Sequence, residues 1–180
     1  MTLRTTAIKE RVASLLRKYD ADTIPVDVQA LAKHLNIRVV AQPLEETTSG
    51  VLIIRNGQAI IGVNASHHLH RQCFTIAHEL GHFLLHGNSS NFFVDATLKF
   101  YRDENSADGS YTQEIEANAF AAELLMPEGL LLQYLNDQRI ELDDKASRKV
   151  AASAFGVSEQ ALTLRLVNLG LLAPQGEATS

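Results

Sequence analysis

Residues 74–87 read FTIAHELGHFLLHG, a stretch with a histidine at every fourth position: His78, His82 and His86. Its apolar residues recur at helical spacing, which predicts a helix. Side chains four residues apart lie on one face of a helix, so His78 and His82 can bind the same metal ion. Glu79 directly follows the first histidine, as in the H-E-x-x-H pattern, where the glutamate acts as a general base toward water on the metal. The stretch therefore predicts a metal centre with an adjacent general base.

The third histidine, His86, is predicted not to bind the same ion. A straight helix rises about 1.5 Å per residue, so His78 and His86 begin roughly 12 Å apart along its axis. Zn–N bonds are only about 2.0–2.1 Å long. We therefore interpret His86 as a residue that supports the site or ends the helix, which is expected to run over residues 67–86 and to stop at Gly87. The alternative is that the histidines are buried and satisfied by neighbouring polar groups.

A carboxylate in the next strong helical segment is the best third ligand. Residues 113–127 read QEIEANAFAAELLMP and predict a helix that stops near Pro127. Glu114 and Asn118 are four residues apart and share a face, which suits a metal ligand with a hydrogen-bonding residue beside it. Glu116 points about 200° away from Glu114 at 3.6 residues per turn. Spacing favours Glu114 and leaves Glu116 open, and the alternative for Glu114 is a solvated charge in the first helical turn.

The rest of the chain predicts a mixed domain of helices and a small sheet. Apolar residues recur at helical spacing in several segments, and β-branched residues cluster in others. The expected elements are a helix at residues 5–19, a short helix capped by Asp27 and ended by Asn36, a strand at 37–42, a hairpin at 50–64 around Asn56-Gly57, and helices at 128–136, 142–154 and 158–168.

Residues 88–112 lack periodicity. They include an apolar run at 92–101 that fits an edge strand, followed by the polar tract RDENSADGS at 102–110. A connection of this length in a compact domain is often a lid or binding loop, or else disordered. We expect it to be the least ordered part of the domain and to contact the substrate.

Composition and charge restrict the class of protein. The chain has 180 residues, of which 46% are hydrophobic and 21% charged, and its formal net charge is −5. The net charge does not mark the chain as a binder of nucleic acid or anionic membranes. Residues 1–20 carry charge throughout, unlike a signal peptide, and the only cysteine is Cys73. We expect a cytoplasmic, soluble protein with a main domain at residues 1–136 and a helical tail at 137–180.

The tail has the pattern of a helix-turn-helix. Residues 151–170 read AASAFGVSEQALTLRLVNLG, with Gly156 and Val157 in the predicted turn and Ser158 as the cap of the second helix. That second helix carries only one basic residue, Arg165, whereas DNA-reading helices usually carry a denser basic face. We therefore expect the tail to pack on the domain or to hold a protein partner, and not to bind DNA by itself.

Two motifs together carry a resemblance to a known family. RQCFTIAHELGHFLLH, followed about thirty residues later by EIEANAFAAELLMP, resembles the ImmA/IrrE metallopeptidases over most of residues 20–130. The resemblance implies an α+β fold, a minimal gluzincin-like zincin domain with a small β-sheet packed on the active-site helix. It implies Zn²⁺ ligands at His78, His82 and Glu114 and a catalytic carboxylate at Glu79. Cys73 departs from the basic or polar residue that the family often has there.

The resemblance also implies a function. Members of the family typically cut or inactivate a helix-turn-helix transcriptional repressor, often in phage, mobile-element or stress-response circuits. The alternative hypothesis is a non-catalytic, metal-containing protein-binding module, or a regulator that acts through the helix-turn-helix-like tail. A residue that stabilises the oxyanion is not assigned from the sequence, and the side chains nearest to the motifs are Tyr101, Tyr111, His67, His68 and His70.

Overall fold

The computed structural model describes residues 2–55, 57–87 and 107–174 as a mixed α and β domain. The expected α+β class is confirmed. In chain order the elements are α1 (Thr2–Lys18), α2 (Val28–His34), β1 (Ile37–Gln42), β2 (Gly50–Arg55), β3 (Gln58–Asn64), α3 (Leu69–His86), α4 (Ala107–Leu125), α5 (Glu128–Asp137), α6 (Lys145–Ala154) and α7 (Glu159–Asn168).

The sheet has three strands in the order β1-β3-β2, with β3 parallel to β1 and antiparallel to β2. The hairpin predicted from the Asn-Gly dipeptide is confirmed, and Gly57 adopts the left-handed φ of 76° that such a turn requires. Alternate residues of β3, Ala59, Ile61 and Val63, are buried, and Ile61 pairs with the buried Leu52 of β2. The sheet packs on α3, which is the arrangement expected for the domain.

Helix α2 begins and ends where its sequence predicts. The side chain of Asp27 accepts hydrogen bonds from the backbone N–H groups of Gln29 and Ala30, at 3.0 and 2.9 Å. These bonds satisfy two of the free donors of the first turn. Asn36 follows the helix with a φ of 57°, a left-handed conformation that asparagine tolerates better than most residues.

Helices α3 and α4 form the most extensive helix–helix contact among the described residues. The expected loop at 88–112 is too long, because α4 already begins at Ala107. Extending an established helix toward its N-terminus adds one hydrogen bond for each residue that is fixed, so polar residues can join it. The remaining part, residues 88–106, lies outside the described residues. The expected edge strand falls in this part, and contact of the segment with the substrate stays a prediction.

The tail forms two helices joined by the predicted turn. Gly156 has a φ of 64°, and the Ser158 hydroxyl accepts a hydrogen bond from the backbone N–H of Ala161. Helix α6 starts three residues later than expected, because Asp144 caps it through the N–H groups of Ala146 and Ser147.

The core is continuous from α1 through α7, and Leu162 and Leu166 of the tail belong to it. The boundary between residues 136 and 137 stays a prediction. None of the described helices is both long and apolar enough to cross a membrane.

Candidate metal centre

His78, His82 and Glu114 each bring a ligand atom to a common point between α3 and α4. His78 Nε2 lies 3.0 Å from His82 Nε2. Glu114 Oε2 lies 3.3 Å from His78 Nε2, and Glu114 Oε1 lies 3.1 Å from His82 Nε2. Within the described ranges, this is the one cluster of histidine, cysteine and carboxylate side chains that is close enough to hold a metal ion.

The spacing of these atoms suits a tetrahedral zinc ion. Two ligands that lie about 2.0–2.1 Å from the metal, at the tetrahedral angle, are separated by about 3.3–3.4 Å. The three observed separations, 3.0, 3.3 and 3.1 Å, are close to that value. Two imidazoles and one carboxylate are also a donor set of catalytic zinc sites, which keep a fourth position open. The residues present therefore fit a zinc ion.

Asn118 fixes the ring of His78. His78 Nδ1 lies 3.0 Å from Asn118 Oδ1. Because an amide oxygen can only accept, His78 donates from Nδ1, and the neutral ring then carries its lone pair on Nε2. Nε2 is the atom that faces His82 and Glu114. Asn118 thus lies where the sequence predicts a supporting residue, and it selects the tautomer that binds a metal.

The protonation of the cluster reflects the close contact between imidazoles and carboxylate. Burial lowers the pKa of His78, but the hydrogen bond to Glu114 and the charge of Glu79 outweigh it, so the pKa of His78 is raised. Hydrogen bonds from His78 and then His82 hold the pKa of Glu114 well below its ordinary value. Glu114 is therefore ionised at neutral pH and able to bind a cation.

Glu79 lies on α3 next to His78 but is not a member of the ligand cluster. Burial raises the pKa of its carboxyl, while the positive charges of His78 and His82 oppose this and the charge of Glu114 adds to it. The net shift is upward. Enzymes tune a glutamate in this direction when it has to take up and deliver a proton near neutral pH.

Glu116 is placed away from the cluster. Its Oε1 accepts a hydrogen bond from Arg4 NH1 of α1 at 2.6 Å, and its Oε2 lies 3.7 Å from His86 Nε2. His86 is the last residue of α3 and is buried, with its ring centroid 5.7 Å from that of His82. The structure therefore brings Glu114 to the two histidines, and it places Glu116 and His86 together at the end of α3.

The described cysteine and the histidines of residues 67–70 that the sequence singled out are not members of the cluster. Tyr101 is outside the described residues, and Tyr111 is exposed on α4. His68 caps α3, where its Nδ1 accepts a hydrogen bond from the backbone N–H of His70. Cys73 is half-buried, and burial together with the charge of Asp27 raises the pKa of its thiol.

Sequence reasoning missed two tertiary contacts of α4. Arg4 of α1 donates to Glu116, which is 112 residues away along the chain, so no local pattern connects them. Gly81 lies against Ala117 of α4, where an added Cβ would meet the neighbouring backbone. The only available signal was the small residue between Leu80 and His82, and it does not by itself identify a partner.

Comparison with known proteins gives concordant results. The M78 peptidase family model, described as the IrrE N-terminal-like domain, matches residues 32–167. The chain is 32% identical to the uncharacterized immunity region protein 2 of Bacillus phage phi105 over 141 residues, which cover 78% of this chain and 81% of that protein.

A solved structure shares the fold. The chain aligns with a Mycobacterium tuberculosis transcriptional regulator at a TM-score of 0.59 and 16% identity, over 98% of this chain and 48% of that one. The chain thus spans about half the length of that regulator. The family model covers well over half of this chain, and the phage relative exceeds 30% identity. The chain therefore belongs to the ImmA/IrrE family, the peptidases with an IrrE N-terminal-like domain.

Proposed function

We propose that this chain is a zinc-dependent endopeptidase in which His78, His82 and Glu114 bind the ion and Glu79 is the general base. The observation that carries the proposal is the mutual spacing of the three ligand atoms, 3.0–3.3 Å. That spacing is what a single tetrahedral ion imposes on its ligands. Membership of a peptidase family supports the same reaction.

The residues of the site divide the work of peptide hydrolysis. A zinc ion, when bound, supplies a Lewis acid for the scissile carbonyl and lowers the pKa of a coordinated water. Glu79 accepts a proton from the attacking water and delivers it to the nitrogen of the leaving amine. Asn118 holds the His78 ring in the binding tautomer, and Glu114 contributes the negative charge that the two neutral imidazoles lack.

We propose a helix-turn-helix transcriptional repressor as the substrate, in a phage, mobile-element or stress-response circuit. The phage relative is named as an immunity region protein, and the similar solved structure is named as a transcriptional regulator. Both names support a role in the control of transcription. Such a repressor acts on DNA, so we propose a cytoplasmic location for the activity.

The test separates catalysis from metal binding. Glu79→Gln keeps the size of the side chain and its hydrogen bonding, but the amide cannot accept the proton. We expect the variant to keep its zinc, measured by mass spectrometry of the purified protein. Cleavage of a co-expressed repressor should fall by about 10²–10⁴-fold, as for the loss of a general base. Glu10→Gln, at an exposed position of α1, is the matched control and should cleave like the wild type.

The opposite outcome is informative too. If Glu79→Gln cleaves the repressor at the wild-type rate, the hydrolytic mechanism is wrong. In that case, a metal-containing module that binds the repressor without cutting it becomes the better explanation.

A further inference from the structure

Helices α3 and α4 are in close backbone contact at Gly81 and Ala117. A Cβ atom built on Gly81 would lie 3.1 Å from the Ala117 Cα, 3.2 Å from the Ala117 carbonyl oxygen and 3.2 Å from the Phe120 Cβ. Two of these three atoms belong to the backbone of α4, and the third is the atom at which a side chain is anchored. None of them can rotate away, so a side chain at position 81 has to move one helix relative to the other.

The crossing point lies among the residues of the metal centre. Gly81 directly precedes His82, and Ala117 lies between Glu114 and Asn118 on α4. Ala117 is fully buried, so the contact is closed to solvent. The separation of the two helices at this point therefore sets how far Glu114 and Asn118 reach toward the histidines.

We propose that Gly81 is a positioning residue for the metal centre: the missing side chain allows the close approach of α3 and α4 that places Glu114 within bonding geometry of the ion held by His78 and His82. This inference rests on the proposed zinc site. It also extends that site, because Gly81 binds nothing and acts only through the helix separation.

The shift that an added Cβ at position 81 would cause is large enough to change zinc affinity measurably. Contacts of 3.0–3.4 Å oblige the neighbouring atoms to give way by a few tenths of an ångström. Metal–ligand distances tolerate deviations of only about 0.2 Å. A shift of this size between the helices is therefore as large as the deviation that metal–ligand distances tolerate. The apolar side chains between the helices can adjust to the same shift, so we expect the protein to remain folded.

The experiment measures zinc affinity by competition with a chelator of known affinity. For Gly81→Ala we expect a Kd about 10–100-fold higher than that of the wild type, the range seen when residues that orient metal ligands are changed. Two other glycine-to-alanine substitutions serve as matched controls for the change in zinc affinity. At Gly62 in β3 an added Cβ also meets an atom at 3.2 Å, but this atom is Cγ1 of Val51 in β2 and not part of α4, and at Gly129 in α5 nothing lies within 4 Å. Gly62→Ala and Gly129→Ala should bind zinc within about twofold of the wild type, even where the melting temperature changes.

The zinc affinities of these variants decide whether Gly81 has the proposed positioning role. A wild-type Kd for Gly81→Ala, or an equal loss of affinity in Gly62→Ala, overturns the positioning role and leaves the proposed zinc site intact. A wild-type protein that binds no zinc overturns the proposed function and this inference with it. If Gly81→Ala does not fold, Ala117→Ser adds one atom at the facing, fully buried residue. A folded Ala117→Ser with unchanged zinc affinity then overturns the inference.

Discussion

Two glutamates of α4, only two residues apart, have different partners because the helix turns them about 200° from each other. Glu114 faces the two histidines of α3, and Glu116 faces Arg4 of α1 and His86. The same residue type thus serves the metal centre in one case and the attachment of α1 in the other. The difference arises from the geometry of one helical turn.

This division predicts opposite effects of two similar substitutions. Glu114→Ala removes a proposed ligand, so the purified protein should lose nearly all of its zinc, since two histidines alone bind the ion far more weakly. Glu116→Ala removes only the contacts with Arg4 and His86, and it should keep about one zinc per chain. Elemental analysis by mass spectrometry decides between them. Loss of zinc from Glu116→Ala together with retention in Glu114→Ala would contradict the assignment of the third ligand.

Residues of the candidate site that are close together in the sequence were easier to predict than residues that tertiary packing brings together. His78, Glu79 and His82 lie within one helical turn, so their pattern alone predicts a metal centre. Glu114 and Asn118 share a helical face, which made them the favoured ligand and its support, but their meeting with α3 is a tertiary fact. The Gly81–Ala117 contact could not be predicted from the small residue at position 81 alone, because close packing of two backbones depends on how the helices cross.

At the scale of elements, a buried polar cluster attaches α7 to the junction of α4 and α5. The Arg165 guanidinium forms an ion pair with Glu123, and both side chains are only 8% exposed. Arg165 Nε also donates to the carbonyl of Met126, and Glu123 Oε1 accepts from the N–H of Glu128 at the start of α5. The N-cap residue of α5 is Pro127, which makes no side-chain hydrogen bond to the helix, so Glu123 supplies one from the neighbouring helix.

This cluster predicts a large cost for removing one partner. Arg165→Met leaves the Glu123 carboxylate buried without its cation, and breaking a buried pair in this way costs about 3–5 kcal/mol. Urea unfolding should show that loss in the free energy of unfolding. Arg17→Met, at an exposed position of α1, is the control and should change it by less than about 0.5 kcal/mol. A loss below about 1 kcal/mol for Arg165→Met would show that the pair is not structurally important.

Most element positions were predictable because their signals are local. The cap of α2 at Asp27, the hairpin around Gly57 and the turn at Gly156 each depend on one residue with a distinctive side chain or backbone preference. The differences fall mainly at helix starts: α1 begins at Thr2 and α3 at Leu69, and the starts of α4 and α6 fall on polar residues that suit both a loop and the first turn of a helix. None of these differences moves a residue of the candidate site.

At the scale of the whole molecule, the second helix of the helix-turn-helix-like tail, α7, offers no exposed basic side chain. Arg165, the only basic residue of α7, is turned inward and paired with Glu123. The exposed residues of the same helix, Gln160, Leu164 and Asn168, carry no charge. The chain as a whole has a formal net charge of −5. DNA affinity depends largely on neutralising phosphates, and this helix offers no cation for that purpose.

We therefore expect the 180-residue chain to show at most weak DNA binding that disappears as salt is raised. A gel-shift titration with the operator of the co-expressed repressor, at low and at physiological salt, measures this. A scrambled duplex of the same composition is the control. Sequence-selective binding at physiological salt would show that the tail contacts DNA in a way that the orientation of Arg165 does not explain.

Because α3 and α4 are in direct contact, the length of the connection between them can vary among members of the family. The donor atoms of the candidate site lie on two helices, and in the sequence residues 87–106 connect the end of one to the start of the other. Lengthening such a connection costs little loop-closure entropy, about 0.6 kcal/mol for each doubling of its length. Insertions and deletions there are therefore expected to accumulate during descent, while the metal centre is inherited unchanged.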